Sequence, residues 1–292
     1  MKPGVMTFYK YQGAGNDFLI ADNRDGHVRE REGVLTACLP DGSLWNKSIA
    51  DLCDRRYGIG ADGLMLLESS REYGFRMRYF NSDGSGGMMC GNGGRCIVAF
   101  AADMGIENYD FAASDGFHTA QILSHDGRER IVRLKMKDIS EIVRYDVLKG
   151  VSVPSDGYFL DTGTRHFVRF VDDLDAYDVV GEGREIRFGA EALQPLGVNV
   201  NFVDSADGKL KIRTYEKGVE NETYACGTGI VAGCIAAYVS GIQAECVDGR
   251  LSYEVQARRD CLIVDFIPGS GSAIAEDLWL TGPAVYVAEV TL

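Results

Sequence analysis

A mixed α/β fold in two similar halves is what this sequence predicts, on three observations. Segments with strand-like alternation run the length of the chain, interrupted by a few helical stretches. The 36 glycines are more than two domains need, and the excess gathers at 13–18, 58–63, 83–94 and 226–233, as where backbone turns tightly or approaches something closely. One pattern occurs twice. Tyr79 stands 11 residues before Cys90 and Tyr215 stands 11 before Cys226, and each cysteine opens a C-G-x-G turn into an apolar helix. The copies are offset by 136, while Gly60 and Gly197 are offset by 137 and Gly15 and Gly163 by 148. Chance recurrence of glycine turns is the plainer account, but three landmarks in one order favour duplication of a single unit.

The first half opens with strand, glycine turn, strand at 6–13 and 16–23. Residues 48–58 read as a helix with Ile49, Leu52, Cys53 and Arg56 on one face, and 64–68 as a strand. FRMRYFN at 75–81 alternates as a strand does. After the glycine loop, 90–105 reads as a buried helix ending at Gly105. Strand candidates follow at 109–114, 118–124 and 130–138. The second half repeats the plan: strand, turn, strand at 159–171, a helix within 184–197, strands at 198–204 and 209–217, and a second small-residue helix at 226–241. β signals at 252–257, 261–267, 275–282 and 284–292 finish the chain. With six prolines and no low-complexity tract, no linker stands out, and the most polar connection lies near 114–130. The boundary is placed there, between 1–117 and 118–283.

At 292 residues, 46% hydrophobic and 25% charged, the chain can bury a sizeable core and is not a disordered one. Its net charge of −13 argues against a broad nucleic-acid or anionic-membrane surface, since both need a positive field. No apolar run reaches the roughly 18 residues of a membrane span, and the N-terminus has no signal-peptide h-region. A cytoplasmic protein with a small-molecule partner, and neither nucleic acid nor membrane, is expected. Eight cysteines in this length are no disulfide framework. No CxxC occurs and only four histidines are present, which suits neither a zinc site nor a redox pair.

Cys90 and Cys226 have a chemical meaning at those positions. A thiol at a helix N-terminus meets the positive end of the helix dipole and unpaired N–H groups, which favour thiolate. The same N–H groups can hold a substrate carboxylate. Two such helices facing each other put thiols on opposite sides of one bound molecule. One removes a proton while the other donates one, inverting a stereocentre without a cofactor. A thiol pKa of about 8.5 suits both roles near neutrality, and donors on the carboxylate stabilise the charge that develops when the weakly acidic α-C–H is broken.

The motifs GAGNDF, DRRYGIGADG, FNSDGSGGMMCGNGGRC and YEKGVENETYACGTG, in this order, resemble those of the cofactor-independent diaminopimelate epimerases, and the resemblance runs from 9–23 to LTGPA at 280–284. It implies two pseudo-symmetric lobes, each a mostly antiparallel sheet wrapped around a central helix, with the active site between them and the strand at about 284–292 returning to the first lobe. It implies an epimerase that uses no cofactor and no metal, interconverting LL- and meso-diaminopimelate in lysine and peptidoglycan-precursor synthesis. A homodimer is compatible with it. By resemblance Cys90 and Cys226 are the acid/base thiols. Gly91 and Asn92, with Gly227 and Thr228, supply N–H donors to the α-carboxylate. Asn16, Asn81, Asn199 and Glu216 are substrate-binding positions, and His166 and Glu216 are placed to assist the thiols. Two departures touch the far end of the substrate: Gly163-Thr164-Arg165-His166 stands where members usually have Gly-Asn-Pro-His, and Glu216-Lys217 where they have Glu-Arg. Lys217 offers a point charge in place of a two-pronged grip, and Thr164 a hydroxyl in place of an amide. Arg165 either restores the missing cation or points to solvent. A racemase of another amino acid on the same fold is the alternative.

Plainer readings stand beside these. Asn16 and Asn81 suit turns, His166 suits a structural hydrogen bond, and Glu216 with Lys217 suits a solvated ion pair. Cys96 and Cys234 read as helix packing. GIGADG at 58–63 and GTGIVA at 227–232 fit the dinucleotide-binding spacing, with Asp248 about 20 residues beyond the second. That fingerprint needs an apolar strand before it and a helix after it. A helix-like segment precedes GIGADG and a strand-like one follows it, whereas GTGIVA follows polar ENETYA.

Overall fold

In the computed structural model, which describes residues 6–39, 41–87, 89–205 and 209–292, the chain forms two units. The first runs to Leu134 and takes in Pro283–Leu292; the second is Lys135–Gly282. The division falls after Leu134 rather than after 117 because the polar stretch near 114–130 is not a linker. It builds paired strands of the first unit.

Strands of the first unit are β1 (Thr7–Gly13), β2 (Asn16–Asp22), β3 (Val28–Arg31), β4 (Val34–Cys38), β5 (Leu44–Ser48), β6 (Gly63–Glu68), β7 (Phe75–Asn81), β8 (Phe111–Ala113), β9 (Gly116–His118), β10 (Ala120–Asp126) and β11 (Glu129–Lys135), with helices α1 (Ile49–Cys53) and α2 (Gly91–Asp103). The second unit has β12 (Val143–Tyr145), β13 (Gly157–Asp161), β14 (Arg165–Phe170), α3 (Val179–Gly189), β15 (Asn199–Asp204), β16 (Leu210–Glu216), β17 (Asn221–Thr223), α4 (Gly227–Val239), β18 (Glu245–Val247), β19 (Arg250–Gln256) and β20 (Cys261–Pro268). The last strand, β21 (Ala275–Thr291), pairs with β20 through Thr281 and with β1 from Val285 onward.

Both units use one order of pairing. In the first, β1–β2 is antiparallel, β2–β6 parallel, β6–β7 antiparallel, β7–β8 parallel and β8–β9 antiparallel. In the second, β13–β14, β14–β15, β15–β16, β16–β19 and β19–β20 repeat that alternation. Each parallel step needs a crossover, and each is bridged by a helix: α1 and α2 in the first unit, α3 and α4 in the second. The mixed α/β class is therefore found, and the order of pairing repeats between the two units as the duplicated plan expects.

α2 and α4 are the central helices. α2 lies against β1, β2, β6 and β10, and α4 against β13, β14, β15, β16 and β20. A helix apolar on every side must be buried on every side, and α4 is buried almost throughout up to Ala237. Gly91–Ala101 of α2 is buried throughout as well, its Asn92 and Arg95 included. Each is 13 residues long with a cysteine as N-cap. Each also stops the same way. Gly105 and Gly241 take φ +78°, open to glycine without a Cβ penalty, and the next N–H reaches back into the last turn, Ile106 to Ala101 O and Ile242 to Ala237 O, both at 3.0 Å.

Three local expectations change. The helix at 48–58 ends at Cys53, because the Asp54 carboxylate accepts the N–H groups of Arg56 and Tyr57 at 2.7 Å each and turns the chain out of helix. Arg56 is therefore exposed, not on a buried face. The chain then folds back so tightly that a Cβ on Gly58 would stand 1.9 Å from Asp51 O. The helix within 184–197 begins earlier, at Val179, where Asp178 caps Gly181 N–H at 2.9 Å. Its glycines do not break it, since Gly183 lets the helix close on Tyr215. A small sheet of β3, β4 and β5 is not among the expected elements. Among the described residues no helix is long and apolar enough to cross a membrane.

Candidate active site

In the first unit the expected residues collect at the start of α2. Cys90 has extended backbone, as an N-cap does, and its Sγ accepts the Gly93 N–H at 3.2 Å. Gly91 and Asn92 form the first turn, where backbone N–H groups have no partner within the helix. Asn92 is buried, and its amide donates to Asn16 Oδ1 at 2.6 Å while its own Oδ1 accepts Arg95 Nη2 at 2.8 Å. Asn16 in turn donates to Asp62 Oδ2 at 2.9 Å. This chain sets the orientation of both asparagine amides, so Asn16 is more than a turn residue. It is positioned by the two-residue turn that joins β1 to β2, in which Ala14 and Gly15 both have positive φ. Asn81 is tied instead to the turn that leads toward Cys90: exposed, it donates to the Ser85 hydroxyl at 3.0 Å. Met88 of that motif lies outside the described residues.

Arg95 is wholly buried, an exceptional state for a charge. Its guanidinium also donates to Gly91 O at 3.2 Å and Pro283 O at 3.3 Å. Arg95 thus braces the first turn of α2 and places a cation one turn behind Cys90. Around Asp62, burial pushes the Asp17 carboxyl up, but hydrogen bonds from Arg55 and Lys10 outweigh it and hold it below the ordinary carboxylate value. Asp17 stays charged and anchors Arg55, which also bonds Asp62 at 2.6 Å.

In the second unit Thr164, His166, Gly227 and Thr228 collect with Cys226 at the start of α4. Cys226 is its N-cap, 7% exposed, followed by Gly227 and Thr228 in the first turn. Thr228 Oγ1 lies 3.5 Å from Cys226 Sγ and 3.1 Å from Thr164 Oγ1, and Thr164 Oγ1 lies 2.9 Å from His166 Nε2. The second glycine of the C-G-x-G turn has its reason here: a Cβ on Gly229 would stand 2.2 Å from Asn201 Oδ1. Asn199, one strand pair away on β15, accepts the Lys217 N–H at 2.9 Å and donates to Arg165 O at 3.3 Å, fixing the turn after β16. Glu216 accepts the Thr223 hydroxyl at 2.8 Å, and Lys217 is exposed. The alternative left open for Arg165 resolves: its guanidinium donates to Leu193 O and Gly197 O, both at 3.2 Å, and stacks 5.0 Å from the Phe159 ring. It braces a loop and neither points to solvent nor is left for a ligand.

His166 is fully buried, and that burial pushes its pKa down to about 3. The folded protein keeps this ring neutral while the unfolded chain protonates it near the ordinary value of 6.5. Between those values the unfolded state binds more protons, so its contribution to stability is complete above about 6.5 and lost as pH falls toward 3. We expect unfolding free energies measured from pH 7 to pH 4 to fall less steeply in His166→Gln than in the wild type, by up to about 1.4 kcal/mol per pH unit. Equal slopes would show that the ring takes up its proton in the fold at the same pH as in the unfolded chain.

Cys96 and Cys234, read as packing, are wholly buried, and burial pushes both thiols well up. The sequence reading missed Asp62, Arg95 and Asn201. Arg95 had a signal, a charge set between small and apolar residues in the buried part of α2. Asn201 had one too, standing two residues after Asn199 and so on the same face of an apolar strand. The two dinucleotide-like spacings lack their context: GIGADG runs from the turn after α1 into β6, and GTGIVA follows the three-residue β17. Among the described residues no group of three His, Cys, Asp or Glu could hold a metal ion.

The whole chain is similar to known proteins. Residues 8–137 and 158–257 match the family described as diaminopimelate epimerase. A diaminopimelate epimerase of Flavobacterium psychrophilum is 40% identical over 290 residues, covering 98% of this chain and all of that one. One from Chlorobaculum tepidum is 38% identical over 288 residues, 96% and 99% of the two chains. Among solved structures, a Bacillus anthracis phenazine biosynthesis protein of the PhzF family superposes with a TM-score of 0.68 at 16% identity, over 99% of each chain. A hydroxyproline epimerase from Agrobacterium vitis, with bound trans-4-hydroxy-L-proline, gives 0.64 at 14% identity over 100% and 92%. At these identities the two structures show a shared fold alone.

Proposed function

Because this chain belongs to the diaminopimelate epimerase family, we propose that it inverts an α-carbon of diaminopimelate, interconverting the LL and meso forms, with Cys90 and Cys226 as acid and base. The observation that carries this reading is the pair of cysteines, each the N-cap of a buried 13-residue helix. A cysteine placed only for packing has no reason to be followed by glycine at a helix start in both units.

The chemistry balances without a cofactor. One sulfur, as thiolate, takes the α-proton, and the electron pair of the broken C–H bond stays on carbon. The other, as thiol, gives its proton to the opposite face. The two sulfurs have then exchanged protonation states, which readies the protein for the reverse direction. The backbone N–H groups of Gly91, Asn92, Gly227 and Thr228 are the donors for the α-carboxylate, aligned with the positive ends of two helix dipoles. They stabilise the charge that builds on the carboxylate as the carbanion forms. Asn16, Asn81, Asn199, Glu216, Thr164 and Lys217 surround the rest of the substrate, and His166 and Glu216 assist the thiols. Asn16 and Asn199 already have set amide orientations and need little reordering. A small molecule is the partner, and the negative charge of the chain, −13, suits a cytoplasmic enzyme that does not bind nucleic acid.

Incubation with LL- or meso-diaminopimelate in D2O tests the assignment. The α-proton signal is expected to disappear as the other isomer forms. Loss of the α-proton from a different amino acid, with diaminopimelate untouched, would move the substrate while leaving the two-thiol chemistry in place.

A further inference from the structure

The hydrogen bonds around His166 have one consistent direction. Asn201 is held at both ends of its carboxamide: Oδ1 accepts the Thr214 hydroxyl at 2.9 Å, and Nδ2 donates to Phe167 O and to His166 Nδ1, both at 3.1 Å. The ring is neutral, and a neutral imidazole that accepts at Nδ1 carries its proton on Nε2. That tautomer is inferred from the bonds the ring makes. Nε2–H then donates to Thr164 Oγ1, leaving the Thr164 proton for Thr228 Oγ1 and the Thr228 proton for Cys226 Sγ.

We propose that Thr164 and Thr228 are positioning residues, a one-way hydroxyl chain from His166 that delivers a hydrogen bond to the Cys226 sulfur and favours its thiolate. Reversing the chain needs Nε2 to accept, which puts a proton on Nδ1 against the Asn201 N–H. Turning the Asn201 amide over to avoid this sets its Oδ1 against the Phe167 carbonyl, acceptor against acceptor, and takes the acceptor from the Thr214 hydroxyl proton. Either change sets buried polar groups of like kind against each other. The direction is therefore built into β14, β15 and β16, which carry His166, Asn201 and Thr214. Thr164 stands where the resemblance places an amide, so this link belongs to this chain's own residue.

The two units serve their sulfurs differently. Cys90 receives a backbone N–H, from Gly93 at 3.2 Å. Cys226 makes no such side-chain cap bond, and the Thr228 hydroxyl takes that part. Charged groups at the strands packed on α4 have other engagements. Asp161 at the end of β13 accepts the Gly163 N–H at 2.8 Å, and it is the charge that opposes burial at His166. Arg165 on β14 holds the Leu193 and Gly197 carbonyls, Glu216 on β16 accepts from Thr223, and Asp265 on β20 pairs with Arg250 at 2.8 Å. Asp204 lies at the far end of β15 from Asn199.

The proposal rests on Cys226 being a reacting thiol, and its test separates the two. Full-length wild type, Thr164→Val, Thr228→Val, their double variant and Thr164→Ser are alkylated with iodoacetamide across pH, and labelled Cys226 and Cys90 peptides are followed by mass spectrometry. Each valine is expected to raise the Cys226 midpoint by about one pH unit, about tenfold slower labelling near neutrality. The double variant is expected to match the singles, because breaking one chain twice adds nothing. Serine is expected to restore the wild-type midpoint, and Cys90 to stay where it was. If Thr164→Val does not fold, Thr228→Val breaks the chain one link on. An unchanged Cys226 midpoint in the valine variants, or an equal shift at Cys90, overturns the hydroxyl chain. A Cys226-specific shift with no α-proton exchange by the wild type supports the chain and overturns the enzymatic reading instead.

Discussion

Cys90→Ala and Cys226→Ala are each expected to lower kcat for inversion by about 10³-fold or more, with KM changed far less. The physical reason is that inversion needs a proton acceptor on one face of the α-carbon and a donor on the other, and either loss leaves one face without its group. The thiol is suited to both roles because its pKa lies near neutrality, and the helix start beneath each sulfur lowers the cost of the charged form. The double variant is expected to be no worse than either single one, since the pair acts as a unit. Cys96→Ala and Cys234→Ala are the contrast: each removes a wholly buried sulfur that burial keeps protonated, so kcat holds while stability drops. Steady-state rates in both directions decide the matter. Undiminished inversion by either of the first two variants would sink the two-thiol mechanism.

Lys217→Ala is expected to raise KM strongly for diaminopimelate and lower kcat/KM by about 1.5–3 kcal/mol, the scale of a hydrogen bond to a charged group. The substrate's second amino-carboxylate needs a cation. Of the two considered, Arg165 is engaged with the Leu193 and Gly197 carbonyls, whereas Lys217 is exposed in a turn whose backbone Asn199 holds. A lysine there neutralises the carboxylate as a point charge without the planar fork of an arginine. For this reason Lys217→Arg is expected to retain activity, and Arg165→Ala to act mainly on stability. Turnover of both isomers by the three variants checks this. A Lys217→Ala enzyme with unaltered kcat/KM would remove Lys217 from the site and favour a substrate with a short neutral side chain.

The parts of this protein legible in one dimension are those that depend on short-range pattern. The two central helices could be read with their ends, because their apolar residues, N-cap cysteines and terminal glycines are consecutive in the chain. Duplication could be read because Tyr79/Cys90 and Tyr215/Cys226 keep their spacing, and the pairing order then repeats in three dimensions. The short helix after Ser48 could not, since the carboxylate of Asp54 competed for backbone N–H groups that periodicity assigns to a helix. Nor could the part played by Arg165, which depends on carbonyls about 28 to 32 residues away.

The sequence by itself determined the fold class, the doubled plan and the two helix-start cysteines proposed as the acid and base, because each is written in spacing and residue type. Only the tertiary structure decided which polar groups meet. Arg95, Asn92, Asn16 and Asp62 form one chain, and Asn201, His166, Thr164, Thr228 and Cys226 another, across strands and turns far apart in sequence. A hydrogen bond is directional and acts only over a few ångströms, so its partners exist only once the sheet registers have brought those strands and turns together.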